Sequence, residues 1–152
     1  MSASLIHKAL LPGHIKVCLE GEDKWSIIHE LLTVLENVHG LSDRAAAEKA
    51  VCEREKRMST GLEYGIAIPH GKTDTVDHLI VAMGLKPEGV EFDSADGEPA
   101  RIILLTLSPA SRSGPHIRFM AEVSNLLQRK EPRQRLLSAE TPEQAAAVMQ
   151  EK

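Results

Sequence analysis

Two apolar stretches decide the fold class of this chain: LIVAMGL at residues 79–85 and IILLTL at residues 102–107. Each is nearly continuous in apolar residues, a pattern typical of strands that are covered on both faces. Residues 86–99, KPEGVEFDSADGEP, lie between them and are rich in turn-forming residues. The two stretches therefore predict buried strands of a sheet that has helices on both sides.

Helical patterns precede these strands. Asp23 can cap a helix that Gly40 can end, and between them apolar residues recur at helical spacing: Trp25, Ile28, Leu32, Leu35 and Val38. A second helix is expected over residues 42–58, with Ser42 as its N-cap. Its many alanines favour close packing against a neighbouring element.

Further helices are expected after the apolar strands. One begins at Gly114-Pro115, and its expected inward face contains Ile117, Met120, Ala121, Ser124 and Leu127. The last begins at TPEQ, residues 141–144, which matches a capping box.

Two short strands complete the pattern, one at residues 14–19 and one at residues 66–68 that Pro69 ends. We therefore expect a single domain over residues 1–152, of the α/β class. Its architecture should be a three-layer α/β/α arrangement with a small mixed sheet flanked by helices. The order of the strands in the sheet does not follow from the sequence.

The composition limits the classes of function. The hydrophobic fraction of 42% and charged fraction of 26% suit a globular domain. A net charge of −4 and only 3% aromatic residues argue against general nucleic-acid binding. The sequence has no CxxC unit, no signal-peptide pattern and no apolar segment long enough to span a membrane, so we expect a cytoplasmic protein without membrane insertion.

Of the seven histidines, His70 stands in the most informative context, GIAIPHG at residues 65–71. It follows a predicted buried strand and a proline and precedes a glycine, and a strand end of this kind can project an imidazole into a crevice. The alternative is a turn histidine that only bonds a carbonyl group. His7, His14 and His39 lie in polar or terminal contexts, and we expect them at the surface.

Two other groups could assist chemistry at His70. His116 lies in SPASRSGPHIRFM, residues 108–120, at the first turn of a predicted helix, where free backbone N–H groups favour an anion. The alternative is an exposed residue at the start of a helix. The charged run EREKR, residues 53–57, is a solvated helix face in the simplest interpretation, but one arginine could turn toward a phosphate.

Several enzyme classes lack their motifs here. The sequence contains no GxxxxGK[ST] loop, no convincing dinucleotide-binding glycine pattern, no HExxH and no GxSxG, and its histidines have no tight metal-ligand spacing. Histidine with arginine, serine and a helix N-terminus remains. That set suits phosphate chemistry on the histidine itself.

Residues 53–71, EREKRMSTGLEYGIAIPHG, resemble the active-site stretch of the fructose/mannitol-type enzyme IIA domains. These domains belong to the bacterial phosphoenolpyruvate-dependent phosphotransferase system, and the family includes the nitrogen-regulatory enzyme IIA proteins. The matching positions are Arg54-Glu55, Ser59-Thr60, Ile66 to Gly71 and, downstream, His116.

The resemblance implies a mixed sheet flanked by helices and a role for each matching residue. His70 would be phosphorylated through Nε2, with His116 as the supporting histidine and Arg54 as the nearby cation. The donor would be phosphorylated HPr or its nitrogen-branch relative, and no metal or organic cofactor is expected.

Three roles remain open at this point. The protein could pass the phosphoryl group to a sugar-specific IIB-type acceptor, or it could act as a regulator whose phosphorylation state controls binding to a target protein. It could also be a regulatory binding module that no longer transfers phosphate. The first two roles need the same site, so the sequence does not separate them.

Overall fold

A computed structural model describes residues 4–150 of the chain. The six helices within this range are α1 Leu5–Ala9, α2 Lys24–His39, α3 Arg44–Arg57, α4 Gly114–Leu127, α5 Lys130–Leu137 and α6 Pro142–Met149, with a 3₁₀ turn at Pro12–His14. The five strands are β1 Ile15–Lys16, β2 Ile66–Ala67, β3 His70–Lys72, β4 Ile80–Val90 and β5 Ala100–Ser108.

The strands form one mixed sheet in the order β1-β4-β5-β2, and β3 also pairs with β5. Only the central pair, β4 and β5, is antiparallel; β1 runs parallel to β4, and both β2 and β3 run parallel to β5. The prediction of a small mixed sheet is confirmed. β4 is longer than its apolar run suggested, because pairing with β5 resumes at Val90 after an irregularity beyond Leu85.

Side chains from the central strands point alternately into two cores. Val81 and Leu104 lie in the core shared with α4, α5 and α6, whereas Ala82 and Ile103 lie in the core shared with α2 and α3. This alternation follows from the two-residue period of a strand. Helices therefore cover both faces, and the predicted three-layer arrangement is confirmed.

The helix boundaries follow the capping signals with one shift. Asp23 accepts a hydrogen bond from the backbone N–H of Ser26 and caps α2, and Gly40 ends it at φ 65°. Ser42, however, is not the N-cap of α3. Asp43 takes that position and accepts from the Ala46 N–H, where its negative charge also suits the helix N-terminus.

The inward face predicted for α4 was wrong at three of its five residues; Leu127 is buried and Met120 packs against the core. Ile117 is 63% exposed, and Ala121 and Ser124 are also exposed. The buried residues of this helix are His116, Phe119, Val123, Leu126 and Leu127. The sequence pattern misled because the buried face begins with a polar residue, His116. An apolar pattern counted from Ile117 is therefore shifted by one residue.

Helix α3 packs very closely on β3, as its small residues suggested. A Cβ atom added at Gly71 would lie 2.8 Å from the backbone nitrogen of Val51 and 3.0 Å from the Ala50 Cβ. Because backbone atoms cannot move aside as a flexible side chain can, only glycine fits here.

We predict that Gly71→Ala lowers the free energy of unfolding by about 1–3 kcal/mol, as overpacking does. The control is Gly114→Ala, because nothing lies within 4 Å of a Cβ added there and its φ is ordinary for a helix start. Urea unfolding of both variants measures the difference. Equal stability of the two variants would mean that α3 does not press on β3.

Candidate active site

His70 lies at the start of β3, directly after the proline that separates it from β2. Its Cα partner across the sheet is Thr106 of β5, whose backbone N–H donates to the Pro69 carbonyl at 3.0 Å. Proline has no backbone N–H to donate within a sheet, and it is tolerated here because β2 and β3 lie at the edge of the sheet, beside β5. The sequence expectation that Pro69 ends the strand holds for β2, but pairing with β5 resumes at once with His70.

A local hydrogen bond sets the tautomer of His70. Its Nδ1 lies 2.9 Å from the carbonyl oxygen of Ile68, and since a carbonyl only accepts, Nδ1 carries the proton. Nε2 is then left with its lone pair. The carbonyl hydrogen bond named in the alternative from the sequence is therefore present, and it leaves Nε2 as the ring nitrogen without a proton.

The imidazole of His70 is neutral near pH 7. Burial lowers its pKa, and the positive charges of Arg54 and Lys72 act in the same direction. The hydrogen bond to Ile68 and the charge of Glu55 raise the pKa but do not outweigh burial. A neutral imidazole nitrogen with a free lone pair is a competent nucleophile.

His116 lies beside His70, with ring centroids 4.8 Å apart and ring planes inclined by 41°. It is 93% buried, so the alternative of an exposed helix-start residue is wrong. Its Nδ1 lies 3.2 Å from Oγ1 of Thr106. Burial, followed by the charges of His70 and Lys72, lowers its pKa to about 4.

Arg54 is the arginine of the charged run that acts on His70. It is half-buried near the end of α3, and its Nη1 donates to the Met58 carbonyl at 2.8 Å. Arg57 is exposed, and the positive charges that lower the pKa of His70 are those of Arg54 and Lys72. The sequence-predicted residues His70, His116 and Arg54 therefore converge on one region.

The sequence interpretation missed the role of Glu55, whose carboxylate is buried under this region. Glu55 is 3% exposed and accepts from the backbone N–H of Thr60 at 3.0 Å, from the Thr60 hydroxyl and from Lys24 Nζ at 3.0 Å. The signal was present, because Ala47, Val51 and Glu55 are spaced four residues apart on one helix face. Treating residues 53–57 as uniformly solvated concealed it.

Thr106 was also missed. It is fully buried, lies opposite His70 in the sheet and contacts His116 through its hydroxyl. It is the only polar residue in IILLTL, and a lone hydroxyl in a buried strand needs a partner.

The structure also corrects the expectation for His14. It is 93% buried, and its Nε2 lies 3.0 Å from Nε2 of His39. His39 itself is exposed, as expected.

Within residues 4–150, no three His, Cys, Asp or Glu side chains are grouped so that they could hold a metal ion. Over the same range no helix has the length and apolar character needed to cross a membrane.

Comparison with known proteins identifies the family. The family described as "Phosphoenolpyruvate-dependent sugar phosphotransferase system, EIIA 2" matches residues 9–152. The chain is 38% identical to the fructose-specific EIIABC component of Bacillus subtilis over 87% of its own length, but it spans only 21% of that larger protein. It is 35% identical to the fructose-specific EIIA component of Haloferax volcanii, covering 84% of this chain and 83% of the relative.

A solved structure agrees with this assignment. The nitrogen regulatory protein IIA-Ntr of Neisseria meningitidis superposes with a TM-score of 0.87 at 32% identity, covering 96% of this chain and 99% of that one. Fructose-specific and nitrogen-regulatory proteins are thus both among the relatives. The chain belongs to the enzyme IIA family of the phosphoenolpyruvate-dependent sugar phosphotransferase system, the family that residues 53–71 resemble.

Proposed function

We propose that this enzyme IIA domain carries a phosphoryl group on Nε2 of His70, received from the phosphohistidine of an HPr-like donor protein. The observation that carries the proposal is the hydrogen bond from His70 Nδ1–H to the Ile68 carbonyl, which leaves Nε2 unprotonated beside His116. No metal or organic cofactor takes part in this proposal.

The transfer is an exchange of one P–N bond for another. The lone pair of His70 Nε2 forms a bond to phosphorus while the bond from phosphorus to the donor imidazole breaks, and that electron pair returns to the donor nitrogen. Protein catalysis of such a step consists of positioning and of neutralising charge on the three phosphoryl oxygens. The Arg54 guanidinium and the Lys72 ammonium supply positive charge, since both act on His70.

His116 contributes as a neutral hydrogen-bond donor. If the Thr106 hydroxyl donates to Nδ1, the proton of His116 sits on Nε2 and is available to a phosphoryl oxygen. A neutral donor stabilises the phosphoryl group without making the phosphohistidine too stable to react onward. Two neutral imidazoles 4.8 Å apart also avoid the repulsion of two imidazolium ions.

The onward acceptor is a IIB-type protein or a regulatory target, and the protein acts from the cytosol. The Bacillus subtilis relative is named an EIIABC component, which supports a IIB-type acceptor, and the Neisseria meningitidis relative is named a nitrogen regulatory protein. Phosphorylated protein incubated with purified IIB distinguishes these roles, because loss of label to IIB supports transfer toward a sugar.

We predict that His70 is the residue that takes the label from phosphorylated HPr. His70→Ala should take none, whereas His29→Ala, at an exposed position of α2, should take label as the wild type does. Mapping the modified residue by mass spectrometry provides the measurement. Label retained by His70→Ala would refute the assignment, and a wild-type protein that takes no label would instead be a non-transferring binding module.

Arg54→Gln should slow phosphoryl transfer by about tenfold to a hundredfold, because a charge-assisted hydrogen bond contributes about 1.5–3 kcal/mol. Arg57→Gln is the matched control, since Arg57 belongs to the same charged run but is exposed and should change transfer little. Rates of labelling by phosphorylated HPr, measured beside thermal midpoints, compare them. A larger effect of Arg57→Gln would show that Arg57, and not Arg54, contacts the phosphoryl group.

Burial of neutral His116 predicts a pH dependence of stability. An unfolded imidazole takes up a proton near pH 6.5, whereas His116 in the folded protein does so near pH 4. The unfolded state therefore binds more protons between these values, and stability present above pH 6.5 is lost as the pH falls toward 4. The loss attributable to His116 is at most about 3 kcal/mol.

Urea unfolding at several pH values should show a shallower decline for His116→Gln than for the wild type. The control variant His29→Gln, at an exposed position, should decline as steeply as the wild type. Parallel curves for wild type and His116→Gln would show that His116 titrates normally in the folded protein.

A further inference from the structure

Three histidines outside the candidate active site line a cavity of about 250 Å³. His14 comes from the 3₁₀ turn, His39 from the end of α2 and His78 from the residues before β4. The volume corresponds to about eight water molecules, enough for a small organic molecule.

The lining has a consistent chemical character. Its apolar part consists of Leu5, Ala9, Leu79, Ile80, Pro109 and Pro115. The charged side chains of the lining, Lys8 and Arg112, are both basic, and both are exposed. Within residues 4–150, one carboxylate bonds a lining histidine: that of Asp77, which contacts His78 Nδ1 and is itself almost fully exposed. An apolar wall with a basic rim suits an amphipathic anion.

The hydrogen-bonding nitrogens of the histidines are not all paired. The two facing nitrogens, Nε2 of His14 and Nε2 of His39, lie 3.0 Å apart, so one of them donates a hydrogen bond to the other. The His39 ring meets the His78 ring edge-on, with centroids 6.1 Å apart. Nδ1 of His14, which is 93% buried, has no hydrogen-bond partner among the described residues. Burial lowers the pKa of His14, and burial together with His14 and His78 lowers that of His39.

The imidazoles of His14 and His39 are therefore neutral polar groups at the edge of an apolar cavity. Since no three metal-ligating side chains within residues 4–150 converge on a point, we interpret them as hydrogen-bonding groups. A carboxylate in the cavity would meet the positive charges of Lys8 and Arg112 and accept a hydrogen bond from a histidine ring nitrogen that is not already bonded within the group.

We propose that this cavity binds a small carboxylic acid with a compact apolar body. The carboxylate lies toward the histidines and the basic rim, and the body packs against the prolines and aliphatic side chains of the lining. This site is separate from His70, and its existence does not depend on the proposed phosphoryl transfer.

The site has a physical route to the active site. Pro109 and Arg112 belong to the connection between β5 and α4, and Pro115, in the first turn of α4, directly precedes His116. A ligand that packs against this connection therefore contacts the segment that holds His116 beside His70. We expect occupancy to change the rate of His70 labelling, a consequence that rests on the proposed function.

Benzoate and benzamide are suitable probes, since they share the ring and differ in charge. We expect benzoate to shift the imidazole NMR signals of His14, His39 and His78 in a saturable way at millimolar concentration. Benzamide should bind about tenfold more weakly, because it lacks the charge that meets Lys8 and Arg112. Absence of a saturable shift with benzoate, or equal binding of both probes, would overturn the proposal.

Two variants test the location of the ligand. Ala9→Leu fills the cavity and Arg112→Gln removes a rim charge, so both should weaken benzoate binding several-fold. Arg118→Gln is the control for lost charge, because Arg118 is exposed on α4 and does not line the cavity. Unchanged affinity in Ala9→Leu, with the fold intact by NMR, would place benzoate elsewhere and refute the site.

The labelling assay is read separately from binding. If benzoate binds as described but His70 takes no label from phosphorylated HPr, the proposed function fails and the cavity site stands. If His70 is labelled normally and benzoate does not bind, the cavity proposal fails alone.

Discussion

The arrangement around His70 depends on the buried carboxylate of Glu55. A buried charge is strongly unfavourable unless it is paired and hydrogen-bonded, and Glu55 obtains both from Lys24 and Thr60. Those partners come from the first residue of α2 and from the loop that leads into β2. One electrostatic requirement thus joins α2, α3 and the 59–61 loop, and it fixes where the chain enters the strands that carry His70.

The two histidines of this site are neutral, whereas Arg54 and Lys72 act on His70 as positive charges. The hydrogen bond to Ile68 selects the tautomer of His70 with its proton on Nδ1, and burial keeps both His70 and His116 neutral. The positive charges of Arg54 and Lys72 lower the pKa of His70, and the same charges suit an incoming phosphoryl group. The same positive charges therefore keep the imidazole neutral and attract an anion. The charge of Glu55 opposes them in part, because it raises the pKa of His70.

The sequence predicted the parts of this structure that depend on local patterns. The apolar runs identified β4 and β5, and GIAIPHG located His70 at a strand boundary. Features that arise only from tertiary contact were not predicted. The lone hydroxyl of Thr106 and the buried face of α4, which begins with His116, were hidden because polar residues on a buried face interrupt the apolar pattern. His14 was misplaced for a different reason, because it packs against residues far away in the sequence, such as His39 of α2.

Strand β5 is the common frame of the two sites. Its Thr106 faces His70 through the sheet register and reaches His116 through its hydroxyl, and its end at Ser108 leads directly to Pro109 in the wall of the histidine-lined cavity. The strand pairs on both sides and is buried apart from the half-buried Arg101, so packing and hydrogen bonds hold it in place. The connection at residues 109–113 is different, because residues 110–113 are exposed and lie outside the sheet. A ligand in the cavity can therefore act on His116 through this connection and the first turn of α4, and it also contacts Ile80, whose Cα partner in β5 is Leu107.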